Sequence, residues 1–150
     1  MLIAGLLSGC ASSPETKTEA ATAALPSPVF ELRLARTTPE AKWVRVDIRS
    51  TGETVYLAPE AALTVDDLLS AEAVPGRQTT ALRLTFTRTG TRSFAELTEK
   101  HQGEPLAVII GGEAITASII RAAIPTGVLV LEGYYPADEV GRIAEALSRR

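Results

Sequence analysis

Two side chains stand apart by their chemistry because each occurs once: the thiol of Cys10 and the imidazole of His101. One thiol cannot form an internal disulfide. One imidazole excludes a His- or Cys-rich metal site, and any Ser-His-Asp triad would have to use His101. His101 follows Phe94 and Leu97 at helical spacing (i, i+3, i+7), which reads as a partly buried or helix-end residue rather than a base. The adjacent acids Asp66-Asp67 and Asp138-Glu139 suit the positive end of a helix better than a catalytic carboxylate pair. Glu96, Glu99 and Lys100 read as a solvated helix face. Gly111-Gly112 precedes neither a helix start nor Lys-Ser/Thr, so it is no phosphate loop. Trp43, Tyr134 and Tyr135 form either an exposed contact patch or plugs at the core edge. No catalytic residue, metal ligand or cofactor site emerges, and the expectation is a protein that is not an enzyme.

Cys10 has a more specific context. The chain opens Met1-Leu2-Ile3-Ala4-Gly5-Leu6-Leu7-Ser8-Gly9-Cys10, a short apolar run, two small residues and the thiol. Leu7-Ser8-Gly9-Cys10 resembles the box that closes a bacterial lipoprotein signal peptide. Small residues admit the backbone to a peptidase, and a thiol forms the thioether to a diacylglyceryl group. Residues 1–9 then read as the leader and Cys10 as the lipidated residue, carrying palmitate-like acyl chains. At ~0.8 kcal/mol per buried methylene, two or more chains anchor stably where one does not. Residues 1–9 lack the Lys or Arg that opens such leaders, which points to a start further upstream or a truncated apolar stretch. Ala11 stands where Asp would favour inner-membrane retention, so the outer membrane is favoured in a Gram-negative cell.

The elements behind these residues follow from composition and periodicity. Residues 10–28 are rich in Ala, Thr, Ser, Pro and Glu and read as a disordered tether spanning roughly 20–25 Å. The remaining 29–150 reads as one domain. The whole chain is 45% hydrophobic and 22% charged, enough to bury a core. A net charge of -3 with scattered basic residues argues against nucleic acid. No run approaches the ~18 apolar residues of a membrane-spanning helix. Alternation predicts strands at Phe30–Leu34, Val44–Arg49, Glu53–Leu57 and Leu82–Thr87. Thr64–Leu69 reads as a short capped helix and Thr91–Gln102 as a longer one ended by Gly103. Leu106–Ile110 and Gly127–Leu131 read as strands buried on both faces. Gly111-Gly112 is a two-residue hairpin signal, with Glu113–Thr116 returning antiparallel. Pro136 opens a last helix whose stripe is Ala137, Val140, Ile143, Ala144 and Leu147. The fold class expected is α+β, a mostly antiparallel sheet with two main helices on one face.

Over roughly residues 54–148 the chain resembles the head subdomain of the periplasmic domain of SecD and SecDF. The matching residues are Val55-Tyr56-Leu57, Leu63-Thr64, Leu82-Arg83-Leu84-Thr85-Phe86, Gly90, Phe94-Ala95-Glu96-Leu97-Thr98 and Leu106-Ala107-Val108-Ile109-Ile110. They continue with Gly112, Ile115, Ile124, Gly127, Leu131-Glu132-Gly133 and Pro136-Ala137-Asp138-Glu139-Val140. Three positions depart: Gly111 for Asp, Ser118 for Pro, and Tyr135 for the Ser or Thr that would cap the last helix. The resemblance implies an α+β fold outside the cytoplasm and contact with polypeptide. The function expected is a lipid-anchored binding or adaptor module contacting secreted, Sec or envelope proteins, with no nucleic acid and no metal. An envelope hydrolase and a ligand-free structural lipoprotein are the alternatives. A cleft shared by His101 and a carboxylate would favour the first, and a closed surface with covered sheet edges the second.

Overall fold

The computed structural model describes residues 29–149. The leader 1–9, Cys10, the tether 10–28 and Arg150 lie outside the described residues. Nine strands and two helices run in the order β1 (Phe30–Arg36), β2 (Val44–Asp47), β3 (Thr54–Leu57), β4 (Leu63–Thr64), β5 (Leu68–Pro75), β6 (Thr80–Phe86), α1 (Arg88–Lys100), β7 (Pro105–Ile110), β8 (Glu113–Ile119), β9 (Val128–Glu132) and α2 (Ala137–Ser148). All the strand pairs are antiparallel, in an α+β arrangement. The strands divide into two sheets. One has the order β2-β3-β1-β7-β8, with β4 also on β1, and the other is β5-β6-β9.

One apolar cluster gathers side chains from both sheets and both helices, with Phe30, Leu82, Leu84, Phe94, Ile115 and Leu147 almost fully buried. Strand β7 is covered on both faces, as its unbroken apolar run requires. Leu106, Val108 and Ile110 join this main cluster, and Ala107 and Ile109 join a second. That second cluster lies under the β2–β3 hairpin, whose Ile48, Val55 and Leu57 reach it. The amides of Arg49 and Ser50 at the hairpin tip donate to Ala114 O (2.9 Å) and Ile115 O (3.2 Å), so the hairpin crosses the sheet face as far as β8. There the Arg49 guanidinium stacks 5.0 Å over Tyr135 and meets Glu113 at 3.3 Å and Glu139 at 3.9 Å. This clasp gives Tyr135 a role that a capping Ser or Thr could not fill. Burial pushes its phenol up to about 12.

The structure corrects two readings. Thr64–Leu69 is not a helix beyond a single 3-10 turn, Val65–Asp67, whose Asp67 carboxylate accepts from the Thr64 amide at 2.9 Å. From Leu68 the chain enters β5. There the ladder with β6 and the burial of Leu68 and Ala71 outweigh the local helix signal. The register slips between Leu68 and Ser70, and that bulge breaks the alternation that would have marked a strand. Strand β9 is not buried on both faces: Leu131 is buried, but Val130 is 51% exposed, because it lies on the open sheet face beside Arg83 of β6 and Glu72 of β5.

Helix α1 begins three residues earlier than its periodicity suggests, capped by Thr87, whose hydroxyl accepts from the Gly90 amide at 3.0 Å. Gly90 is buried against the 3-10 turn, and a Cβ there would lie 2.5 Å from Asp67 O. The hairpin between β7 and β8 has Gly111 and Gly112 at φ 63° and 82°, the left-handed pair that a tight two-residue turn demands. At the far end of β9, Glu132 Oε1 accepts from the Gln78 amide at 2.8 Å. That bond, helped by the Arg77 and Thr79 amides, holds the carboxyl below its ordinary value of 4.5 against partial desolvation.

Gly90→Ala is expected to destabilise the domain in urea unfolding, although Ala favours a helix interior by about 1 kcal/mol over Gly. A stabilised variant would show that the close approach to Asp67 is not tight. Because the folded value for Glu132 is depressed, its contribution is present above pH 4.5 and lost as pH falls through the lowered value. The gap between the urea midpoints of the wild type and Glu132→Gln should therefore narrow on acidification. A gap independent of pH would contradict this.

Candidate functional site: an apolar cleft between two sheet edges

Strands β8 and β9 are each the last strand of a sheet, and the chain between them does not close them into a hairpin. It is drawn instead towards α1 and the residues after it. The amide of Ile120 donates to Glu104 O (3.0 Å), and Ile120 O accepts from the Gly103 amide (2.8 Å). Four residues on, the Ile124 amide donates to Thr98 Oγ1 at 2.9 Å. Thr98 is fully buried, and its hydroxyl donates in turn to Phe94 O at 2.8 Å. One threonine on α1 thereby fixes the start of the return to β9.

Between the two edges lies an apolar cleft of about 420 Å³. Phe94, Leu106, Val108 and Leu131 are buried in its floor, while Ile119 (60% exposed) and Val130 (51% exposed) stand at its rim. Consecutive residues of both strands line it, Ser118-Ile119 on β8 and Leu129-Val130-Leu131 on β9, so the cleft abuts the strand edges and not only one face. The outer edge of β9 and that of the Thr116–Ile119 half of β8 carry no strand partner among the described residues. The polar groups inside are satisfied internally, Thr98 as above and Thr116 by donating to Tyr134 Oη at 3.4 Å. Arg121 is the one charged residue of the lining.

This arrangement can hold an apolar segment by burial and an extended backbone by strand addition. No carboxylate, imidazole or thiol lines it. His101 ends α1, where its amide donates to Leu97 O (3.1 Å) and its Nδ1 lies 3.4 Å from Glu104 Oε1 at the surface. His101 and a carboxylate thus meet outside the cleft, and the arrangement that would favour a hydrolase is not formed there. Asp138-Glu139 sit in the first turn of α2 and Asp66-Asp67 in the 3-10 turn, as helix-start acids. The three aromatic candidates form no common exposed patch. Tyr135 is buried under Arg49, Tyr134 packs against the core, and half-buried Trp43 lies 5.1 Å below the Arg36 guanidinium. Among the described residues no group of three His, Cys, Asp or Glu is placed to hold a metal ion. Ile119, Arg121 and Val130 were not singled out in the sequence; a period-2 pattern gives the face of a strand but not whether another strand lies beside it.

Comparison with known proteins agrees with this architecture. The SecDF, P1 head subdomain family matches residues 41–149. The protein translocase subunit SecDF of Thermus thermophilus is 40% identical over 88 residues, 57% of this chain and 12% of that protein. The protein translocase subunit SecD of Rhodobacter capsulatus is 31% identical over 83 residues, 55% of this chain and 15% of that protein. The chain therefore spans a small part of the length of either relative. Among solved structures, SecDF in a super-membrane-facing form aligns with TM-score 0.66 and 25% identity over 81% of this chain and 19% of that one. SecDF described as a membrane component that enhances protein export aligns with TM-score 0.65 and 27% identity over 79% of this chain and 61% of that one. Sequence match and shared topology together place the chain in the SecDF P1 head subdomain family.

Proposed function

We propose that this chain is a lipid-anchored module of the bacterial envelope, held at a membrane by acyl chains on Cys10, whose β8–β9 cleft takes extended segments of exported or envelope polypeptide. The observation that carries this reading is the apolar cleft bordered by two unpartnered strand edges. A free edge offers backbone donors and acceptors that any extended chain can satisfy, so binding of this kind tolerates many sequences. Soluble proteins ordinarily blunt such edges with Lys, Pro or a covering element. Strand β9 reads Val128-Leu129-Val130-Leu131-Glu132, and its one charge is committed to the 76–79 turn. The relatives' names, translocase subunits and a component that enhances export, fit a polypeptide ligand. Open edges speak against a ligand-free structural lipoprotein.

The anchor is assigned to Cys10 because Leu7-Ser8-Gly9-Cys10 has the lipidation pattern. Ala11 favours the outer membrane in a Gram-negative envelope.

The test uses the full chain expressed in a bacterial envelope, with a photo-crosslinking residue at Val130 or, as control, at exposed Arg142. The membrane-extracted protein should carry a lipid-sized mass increment that Cys10→Ser abolishes. Crosslinks to exported polypeptide should be several-fold stronger from Val130 than from Arg142. An unacylated protein would remove the anchor, and equal crosslinking from the two positions would remove the cleft as the contact surface.

A further inference from the structure

Arg121 stands in an unusual place. The chain is fixed at Ile120 by its bonds to Gly103 and Glu104 and again at Ile124 by Thr98, so residues 121–123 form a short exposed arc at the mouth of the cleft. Several arginines, Arg45, Arg77, Arg83, Arg88 and Arg92 among them, make no ion pair among the described residues, so what sets Arg121 apart is its place in the lining of the cleft. Arg121 likewise holds no carboxylate among the described residues, and no other charged side chain lines the cleft. A guanidinium beside an apolar wall is matched by a carboxylate, which it engages through paired N–H donors.

We infer that Arg121 makes the cleft selective for extended apolar polypeptide segments flanked by Asp or Glu, and that it disfavours segments flanked by Lys or Arg. The inference rests on the reading of the cleft as a polypeptide site and adds the charge of the ligand. The backbone of the segment pairs with the β8 or β9 edge, its apolar side chains enter between Ile119 and Val130, and its acidic flank meets Arg121. Arg121 is solvent-exposed, so the discrimination is modest and falls as salt screens it.

The test is fluorescence anisotropy of the full chain with three labelled peptides, acetylated and amidated so that chain ends carry no charge. They share one apolar β-forming core and differ only in flanks of Glu, Gln or Lys. Binding should weaken in that order, with roughly five- to tenfold between Glu and Lys flanks, and the spread should collapse in about 1 M salt. Arg121→Gln should level the series and Arg121→Glu should invert it, both with an essentially unchanged urea midpoint because the exposed side chain makes no hydrogen bond or ion pair among the described residues. Equal affinities for the three peptides, or an order that survives Arg121→Glu, would overturn the selectivity while leaving the cleft as a polypeptide site. Failure of all three to bind would overturn the selectivity and the reading beneath it together. Uptake of a long-chain fatty acid alongside that failure would reassign the cleft to an acyl chain.

Discussion

A single buried hydroxyl organises the functional end of this domain. Thr98 Oγ1 accepts the Ile124 amide and donates to Phe94 O, so one group on α1 ties down the chain that links the two sheets. With Ile120 held by Gly103 and Glu104, residues 120–127 cannot collapse into a tight hairpin that would pair β8 with β9. Pairing those edges would satisfy their backbone groups and close the cleft. Keeping them apart leaves polar backbone and apolar side chains exposed together, a combination that soluble proteins avoid unless a partner uses it. The remainder of the fold supplies the rigidity for this exposure. The main core joins both sheets to both helices, and the β2–β3 hairpin locks onto β8 and α2 through Arg49.

Much of the fold was legible because local chemistry and tertiary need coincide. The run Leu106–Ile110 admits only a strand covered on both faces, and Gly111-Gly112 supplies the two left-handed residues of a tight turn. The stripe Val140, Ile143, Ala144 and Leu147 is the buried face of α2. Strand β5 was hidden because the bulge at Leu69 breaks its period, and because Thr64 and Asp67 do form a capped turn just before it. The exposure of β9 was hidden because its own apolar run gives no sign that the face it shares with Arg83 and Glu72 is open to solvent. Gly90 appeared as a position shared with the SecD head, and its physical reason, contact with Asp67, depends on how α1 packs.

The candidate site was less legible than the fold. Its rim residues come from three different elements, the end of β8, the 121–123 arc and β9, and their juxtaposition is a property of sheet order. His101 and the adjacent acids lie at helix ends, as their spacing predicts. In the sequence, Trp43 and Tyr134-Tyr135 read as an aromatic patch or as core plugs. The partners that decide the matter are not adjacent: Arg49 lies far from Tyr135 in sequence, and Arg36, the last residue of β1, meets Trp43 across an irregular loop. The proposed lipid anchor, by contrast, is carried by four contiguous residues, Leu7-Ser8-Gly9-Cys10.

The central claim, that unpaired strand edges receive an extended polypeptide, is tested most directly by residue-resolved amide hydrogen exchange on the full chain with and without an extended apolar peptide. The account predicts that slowed exchange concentrates in Val128–Glu132 of β9 and Thr116–Ile119 of β8, at amides not already paired with β6 or β7. Protection confined to the β2–β3 hairpin or to the helices, with both edges exchanging as in the free protein, would contradict it.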